Sequence, residues 1–464
     1  MQEYFIQLSK YIITILIALY TFQSFLVFRF KEERQRKGVY FIHEILFFLI
    51  QFSCFYTLYL KSGDADYLFF YAFLQVFFFS AIILTRMIYE KINRLLLNNM
   101  CMLLGIGFVI LSRLSKQEAN LSFQNPLIKQ LAIVIVSLMI GLTIPYLLKK
   151  ITFLQKLTWL YASVGIFLLS IVLVMGNLSR GSKISFSLWG ITFQPSEFVK
   201  IIFIFFLAAA LYENITFKRV VITTIIAALY VIILVVSKDL GSALIFFVGY
   251  IFVVFMATGS YLYMFLGLLA GSIGAVGAYY IFDHVRLRVL IWQDPFTYID
   301  NQGYQVVQSL FAIGSGNWFG MGLFGGSPGD IPFVSTDLVF SAVCEELGVI
   351  SGICIILICI SCFVMMMNIG IKFKDNFYRL LALGFGVIYI FQVFLTIGGG
   401  IKFIPLTGVT LPFISYGGSS VLTTMIMFFL VQGLYYVQVK TPLNQEGGIK
   451  HAEKKERKRQ EDRP

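Results

Sequence analysis

Two carboxylates, Asp294 and Asp300, lie in 291-IWQDPFTYIDNQGYQVVQSL-310, a polar stretch between long apolar runs. A carboxylate beside a cationic, phosphate-ready surface suits general-base activation of a hydroxyl. Such a base, with an ordinary pKa of about 4, is weak in water, and partial burial in a loop would raise it towards working pH. Arg286 and Arg288 stand just upstream. Their planar forks can clamp a phosphate, and are equally suited to pairing with the two aspartates. Glu197 and Lys200, in 193-FQPSEFVKI-201, share a helix face at i and i+3. They read either as an ion pair that fixes helix packing or as a lysine presented to an anionic substrate. Lys238 and Asp239 interrupt an apolar run at 238-KDLGS-242, as an interhelical turn or as part of a polar site.

Two further stretches carry polar groups at membrane depth. In 336-TDLVFSAVCEELG-348, Thr336 is placed to cap a helix and Asp337 favours the positive end of its dipole. Adjacent Glu345 and Glu346 follow; two carboxylates in an apolar helix are costly and so are candidates for function. The segment 404-IPLTGVTLPFISYGGSS-420 has two prolines and several glycines. Non-helical backbone at that depth is tolerated only where protein buries it or where it lines a water-filled cavity. Ser415, Gly417, Gly418 and Ser419 lead into the last apolar run, where free backbone N–H groups can hold an anion such as a pyrophosphate. A re-entrant structural plug is the alternative.

The elements that must position these residues are apolar helices. The chain has 464 residues, 58% hydrophobic and 13% charged, with mean hydropathy +0.84, which excludes an ordinary soluble protein. Thirteen apolar runs read as transmembrane spans, at roughly 8–28, 40–60, 67–85, 95–113, 127–148, 157–176, 196–212, 219–236, 241–258, 261–282, 337–366, 377–399 and 417–438. The first run lacks the basic leader and small-residue site of a cleaved signal peptide and is expected to remain as an anchor. The net charge of +12 does not indicate nucleic acid, because about two-thirds of the 36 Lys and Arg fall in loops on one side. That asymmetry, led by 31-KEERQRK-37, places the N-terminus outside and the C-terminus in the cytoplasm. Residues 441–464 form a polar, basic tail, expected to be disordered and drawn to anionic lipid. The six cysteines all lie in apolar segments and the three histidines are scattered, so no metal site is read from them. On the outer face lies one long loop, 283–336, with two shorter polar segments, 178–194 and 401–420. From the residues alone this is an all-α polytopic membrane protein with a cationic outer cavity for a lipid-linked anion. Transporter and transferase both remain open.

The stretches 193-FQPSEFVK-200, 239-DLGSA-243, 303-GYQVVQSLFAIGSG-316, 337-DLVFSAVCEELG-348 and 405-PLTGVTLPFISYGGSS-420 resemble, in order and spacing, the SEDS family (shape, elongation, division and sporulation), which includes FtsW, RodA and SpoVE. The resemblance covers about residues 95–440, a ten-helix core, and leaves 1–94 as a three-helix extension that docks a partner or adds lipid-facing bulk. It implies a peptidoglycan glycosyltransferase of the bacterial cytoplasmic membrane that polymerises lipid II in division, elongation or sporulation, beside a class B penicillin-binding protein. Lipid II transport and a non-catalytic scaffold are the alternatives. It also implies that a divalent cation, Mg or Mn, can assist at the pyrophosphate, with no organic cofactor. Arg286, Arg288, Lys200, Glu197, Lys238, Asp239, Gln305, Glu345, Ser415, Gly417, Gly418 and Ser419 are the expected substrate-binding residues. Members commonly read Asn/Asp-Pro-x-x-Asp-Pro before the Gly-Tyr pair, with the second Asp as base. Here Asp294–Pro295 fills the first pair and Tyr298 occupies the second Asp position. Asp300, two residues on, is the favoured base, ahead of Asp294; a member in which neither acts is the third case. Ser335 and Lys238 also depart from the usual pattern.

Overall fold

The computed structural model describes residues 2–30, 32–115, 125–151, 153–175, 177–179, 182–188, 191–213 and 215–438. The tail 441–464 lies outside the described residues. The helices are α1 (Gln2–Arg29), α2 (Glu33–Ser62), α3 (Asp66–Ile88), α4 (Arg94–Leu114), α5 (Pro126–Lys150), α6 (Thr158–Met175), α7 (Pro195–Leu211), α8 (Phe217–Val236), α9 (Leu240–Thr258), α10 (Tyr261–Ile281), α11 (Asp283–Gln293), α12 (Tyr304–Gly316), α13 (Val339–Ile371) and α14 (Asn376–Gly400). A last helix, α15 (Gly418–Gln438), follows. Among the described residues eleven helices are long and apolar enough to cross a membrane. The apolar α6 and α7, of 18 and 17 residues, complete the thirteen runs read from the sequence.

The position of each helix follows from what it can bury. The 18-residue window of α4 is wholly buried in protein and that of α10 not at all. Asn93 caps α4, its side chain accepting from Leu96 N at 3.1 Å. The aromatic stripe on α3 is divided: Phe69, Phe73 and Phe79 point outwards while Leu74 and Phe78 are buried. The extension α1–α3 is bolted to α4, and through Asn99 to α13, by polar groups inside the bundle. Tyr20 OH donates to Asn99 Oδ1 at 3.2 Å, Ser24 Oγ lies 2.8 Å from His43 Nε2, and Asn99 Nδ2 donates to Ser361 Oγ at 3.3 Å. Arg86 pairs with Glu44 beside Asn98.

Two regions expected to be loop are partly ordered. The polar segment 178–194 contains three short antiparallel strands, β1 (Asn177–Ser179), β2 (Ser182–Leu188) and β3 (Ile191–Phe193), in the order β1-β2-β3. The long loop contains α11 and α12, joined by tight turns. Gly303 at their end has no room for a Cβ, which would meet Pro295 O at 2.5 Å and Tyr298 O at 2.8 Å.

Helix α13 begins at Val339 with Leu338, not Thr336, in the N-cap position, and the Thr336 hydroxyl donates back to Phe333 O at 3.2 Å. The helix breaks at Gly348, with φ 86° and ψ 163°. The break frees carbonyls of the preceding turn. Glu345 O accepts from Met321 N at 2.8 Å and Glu346 O from Gly322 N at 3.0 Å, while Val349 N donates to Asn317 O at 3.0 Å. The chain after α12 is thereby sewn into the kink, where a Cβ on Gly348 would meet Gly320 N at 2.4 Å.

Candidate active site

A cavity of about 360 Å³ opens where α8, α9, α11, α12, α13 and α14 end or begin. The N-terminal part of α1 reaches the same end of the bundle, since the Tyr11 and Phe319 rings lie 5.0 Å apart.

The cavity's charged walls are built by helix termini. Asp239 is the N-cap of α9: Oδ1 accepts from Ser242 N at 3.1 Å. Its Oδ2 accepts from Ser196 Oγ at 3.0 Å and Gln194 Nε2 at 3.4 Å. Gly241 lets this turn approach the re-entrant segment, because a Cβ there would lie 2.3 Å from Val409. Lys238 terminates α8 in a Schellman motif: Lys238 N donates to Val235 O at 3.0 Å and Asp239 N to Leu234 O at 2.9 Å. Lys238 occupies the left-handed position of that motif, with φ 64°.

Helix α11 is stapled to the segment after α14. Arg288 Nη1 donates to Leu406 O at 3.3 Å and Thr407 O at 3.1 Å, and Trp292 Nε1 to Lys402 O at 3.1 Å. Lys402 ends α14 in a second Schellman motif: Lys402 N donates to Gly399 O at 3.3 Å and Phe403 N to Gly398 O at 2.8 Å. Its φ is 59°. Gln305, at the start of α12, and Asp337, just before α13, complete the polar wall.

Of the expected site residues, Lys238, Asp239, Arg288 and Gln305 meet in this cavity, and the others do not line it. Lys200 is buried, its Nζ donating to Glu197 Oε2 and Gln392 Oε1, each at 2.7 Å. Thr423 Oγ1 also donates to Glu197 Oε2, at 3.0 Å. The pair therefore joins α7, α14 and α15 and presents no charge to the cavity. Glu345 Oε1 accepts from Ser327 N at 2.9 Å, and Glu346 binds Arg113 Nε at 2.7 Å, so both glutamates hold the descending leg of the loop. The start of α15 turns inwards: Gly417 N donates to Gln130 Oε1 at 3.3 Å, Ser415 Oγ accepts from Leu411 N at 2.8 Å, and Ser419 Oγ accepts from Gln194 N at 3.0 Å. Gly417, Ser415 and Ser419 thus hold the re-entrant plug together and tie it to α5 and Gln194, with Gly418 between them.

Arg286 is exposed, and neither it nor Arg288 pairs with Asp294 or Asp300 within 4 Å among the described residues. Asp294 is exposed and closes its own turn, accepting from Thr297 Oγ1 at 2.7 Å and Phe296 N at 3.1 Å. The Thr297 hydroxyl and amide hold its carboxyl below the usual carboxylate range, with help from Phe296 N and Lys402. This is the opposite of the burial-driven rise expected of a base. Asp300 is also exposed, and its carboxylate accepts no hydrogen bond among the described residues.

Gln194, Trp292, Phe333, Asp337 and Lys402 are cavity residues that the sequence reading did not select. The signal for Lys402 was there, a lone cation one residue beyond Gly398–Gly399–Gly400 in an apolar run.

The donor set does not make a cage for a divalent cation. Both oxygens of Asp239 are engaged by protein donors, and three cationic side chains face the same space. No three metal-ligating side chains converge among the described residues.

A polytopic helical bundle whose one end carries a cationic cavity, a carboxylate-bearing loop and a re-entrant segment defines a multi-pass membrane protein with a polar site at one end of its helices. The chain belongs to the FtsW/RodA/SpoVE family, described as cell cycle proteins, whose family model matches residues 94–438. It is 37% identical over 268 residues to Mycobacterium tuberculosis (strain ATCC 25618 / H37Rv) "Peptidoglycan glycosyltransferase RodA", covering 54% of this chain and only 57% of that relative. To the Mycobacterium leprae protein of the same name it is 31% identical, covering 76% of this chain and 80% of that one. To Bacillus subtilis "Stage V sporulation protein E" it is 34% identical, covering 62% and 81%. A chain of a solved peptidoglycan synthase complex, described for its coordination of polymerization and crosslinking, superposes with a TM-score of 0.62 at 26% identity. The match covers 74% of this chain and 97% of that one.

Proposed function

We propose that this protein is a peptidoglycan glycosyltransferase that polymerises lipid II at the outer face of the cytoplasmic membrane. The observation that carries this reading is the cationic cavity beside the loop bearing Asp300, at the end of the bundle where the family's motifs converge. The acceptor sugar's 4-hydroxyl oxygen attacks the anomeric carbon of the donor. The new glycosidic C–O bond forms as the bond to the undecaprenyl diphosphate oxygen breaks, and that oxygen keeps the electron pair. The hydroxyl proton passes to a carboxylate. Asp300 suits that role because its oxygens are uncommitted, whereas Asp294 is occupied in closing its turn. Arg288 and Lys238 face the diphosphate, and Gln305 and Asp239 orient the polar part of the substrate.

A class B penicillin-binding protein as crosslinking partner, a surrounding of anionic lipid, no nucleic-acid partner, and an outside N-terminus with a cytoplasmic C-terminus belong to the same reading. The solved relative in a synthase complex supports the partner, and the basic loops support the orientation. The test is incubation of the purified protein, with and without its transpeptidase, with labelled lipid II. Wild type and Asp294→Asn extend glycan strands on a gel and Asp300→Ala does not. No strands from wild type in either condition would refute the proposal, and would favour a scaffold in which Tyr298 marks the lost base.

A further inference from the structure

We propose that Lys238 and Lys402 form a fixed two-ammonium clamp for a lipid-linked diphosphate, supplying the charge neutralisation for which a divalent cation would otherwise be required. The proposal rests on the glycosyltransferase reading for the identity of the ligand. Its own support is local. Among the described residues six non-glycine positions have positive φ: Lys238, Asn317, Phe324, Phe333, Lys402 and Phe413. Three of them, Lys238, Phe333 and Lys402, line the one cavity. A left-handed backbone is costly for a side chain with a Cβ, and such strain gathers where a group must be held for function.

The two lysines also share a structural address. Each fills the position after a helix C-cap that glycine ordinarily takes, one ending α8 and the other ending α14. Both helices therefore aim the negative ends of their dipoles at the cavity, while α9 and α12 begin beside it with their positive ends. At the ends of α8 and α14 the ammonium groups supply the positive charge that those termini lack. Neither lysine pairs with a carboxylate within 4 Å among the described residues. Arg288, partly committed to Leu406 O and Thr407 O, adds a third cation, against the carboxylates of Asp239 and Asp337. A site so charged repels a metal ion and attracts a diphosphate. A lysine at a helix C-terminus also relieves that helix's dipole; for that alone, the two need not converge on one cavity.

The test uses the full-length protein in detergent, with EDTA, titrated calorimetrically with farnesyl diphosphate and farnesyl monophosphate. Wild type binds the diphosphate without metal and prefers it to the monophosphate. Lys238→Gly and Lys402→Gly each weaken binding by roughly tenfold or more, as loss of a charge-assisted contact does. Added Mg²⁺ recovers part of the loss in the variants and barely changes wild type. Glycine relieves the backbone, so the variants melt no lower than wild type, and Lys402→Asn, which tolerates the left-handed region, gives the same loss. Equal binding by wild type and variants in EDTA, or a wild type that binds only with Mg²⁺, overturns the clamp. Lipid II polymerisation is scored in parallel. Strands from a wild type whose diphosphate binding needs Mg²⁺ would overturn the clamp and leave the transferase reading. Metal-free diphosphate binding without strands would do the reverse.

Discussion

Replacing Lys200 by methionine tests whether its charge is structural. Lys200 and Glu197 are a buried pair, with side chains only 2% and 7% exposed and a 2.7 Å separation. Methionine has nearly the length of lysine, so the packing changes little while the ammonium vanishes. Glu197 is then left with Thr423 as its donor, and Gln392 Oε1 loses its own. Breaking such a pair from one side costs about 3–5 kcal/mol, because a buried charge is stranded. Adding Glu197→Gln removes that charge and recovers most of the loss. The assay is reversible unfolding in mixed micelles of wild type, both single variants and the double variant, read as a double-mutant cycle. A Lys200→Met cost below about 1 kcal/mol, in the range of exposed pairs, would refute the reasoning. So would a double variant no more stable than Lys200→Met. Either result would return Lys200 to the pool of groups free to meet substrate.

Three other outcomes are expected. Gly348→Ala places a methyl 2.4 Å from Gly320 N and forces alanine to φ 86°, so the segment 317–327 detaches and becomes sensitive to limited proteolysis. Arg113→Leu strands Glu346, which also accepts from Phe324 N at 3.2 Å, and destabilises by about 3–5 kcal/mol in the same unfolding assay. Thr297→Val raises the Asp294 titration towards the ordinary carboxylate value, followed by NMR of labelled aspartate. The sign follows from the depressed folded-state pKa. The turn's support from Asp294 is complete above about pH 4, the unfolded value, and is lost as pH falls through the folded one. In the variant that loss comes at higher pH.

The thirteen spans were legible because apolar length is what both lipid and protein interior demand. For the same reason their surroundings were not. The windows of α4 and α10 have hydropathies of 2.0 and 1.6, yet one is wholly buried and the other not at all. The start of α13 was misplaced because Thr336 and Asp337 match a cap by type, while the backbone of 333–338 turns on itself. Lys200 and Glu197 were visible as a pair, but their third and fourth partners, Gln392 and Thr423, lie nearly two hundred residues or more away in the chain. Lys402 escaped notice for a different reason. A lysine gives no sign of a left-handed helix stop, the role for which glycine is the usual signal.

The bolt between the extension and the core has a consequence for how the chain can be divided. Residue 94 looks like a natural place to cut, since the family match begins there. A protein starting at that point would leave Asn98 without His43 and Glu44, and Asn99 without Tyr20 and Ser24. Lipid tails offer these amides nothing in exchange. The first three helices thus act as the solvent of α4: they furnish, inside the membrane, the polar medium that the bilayer withholds.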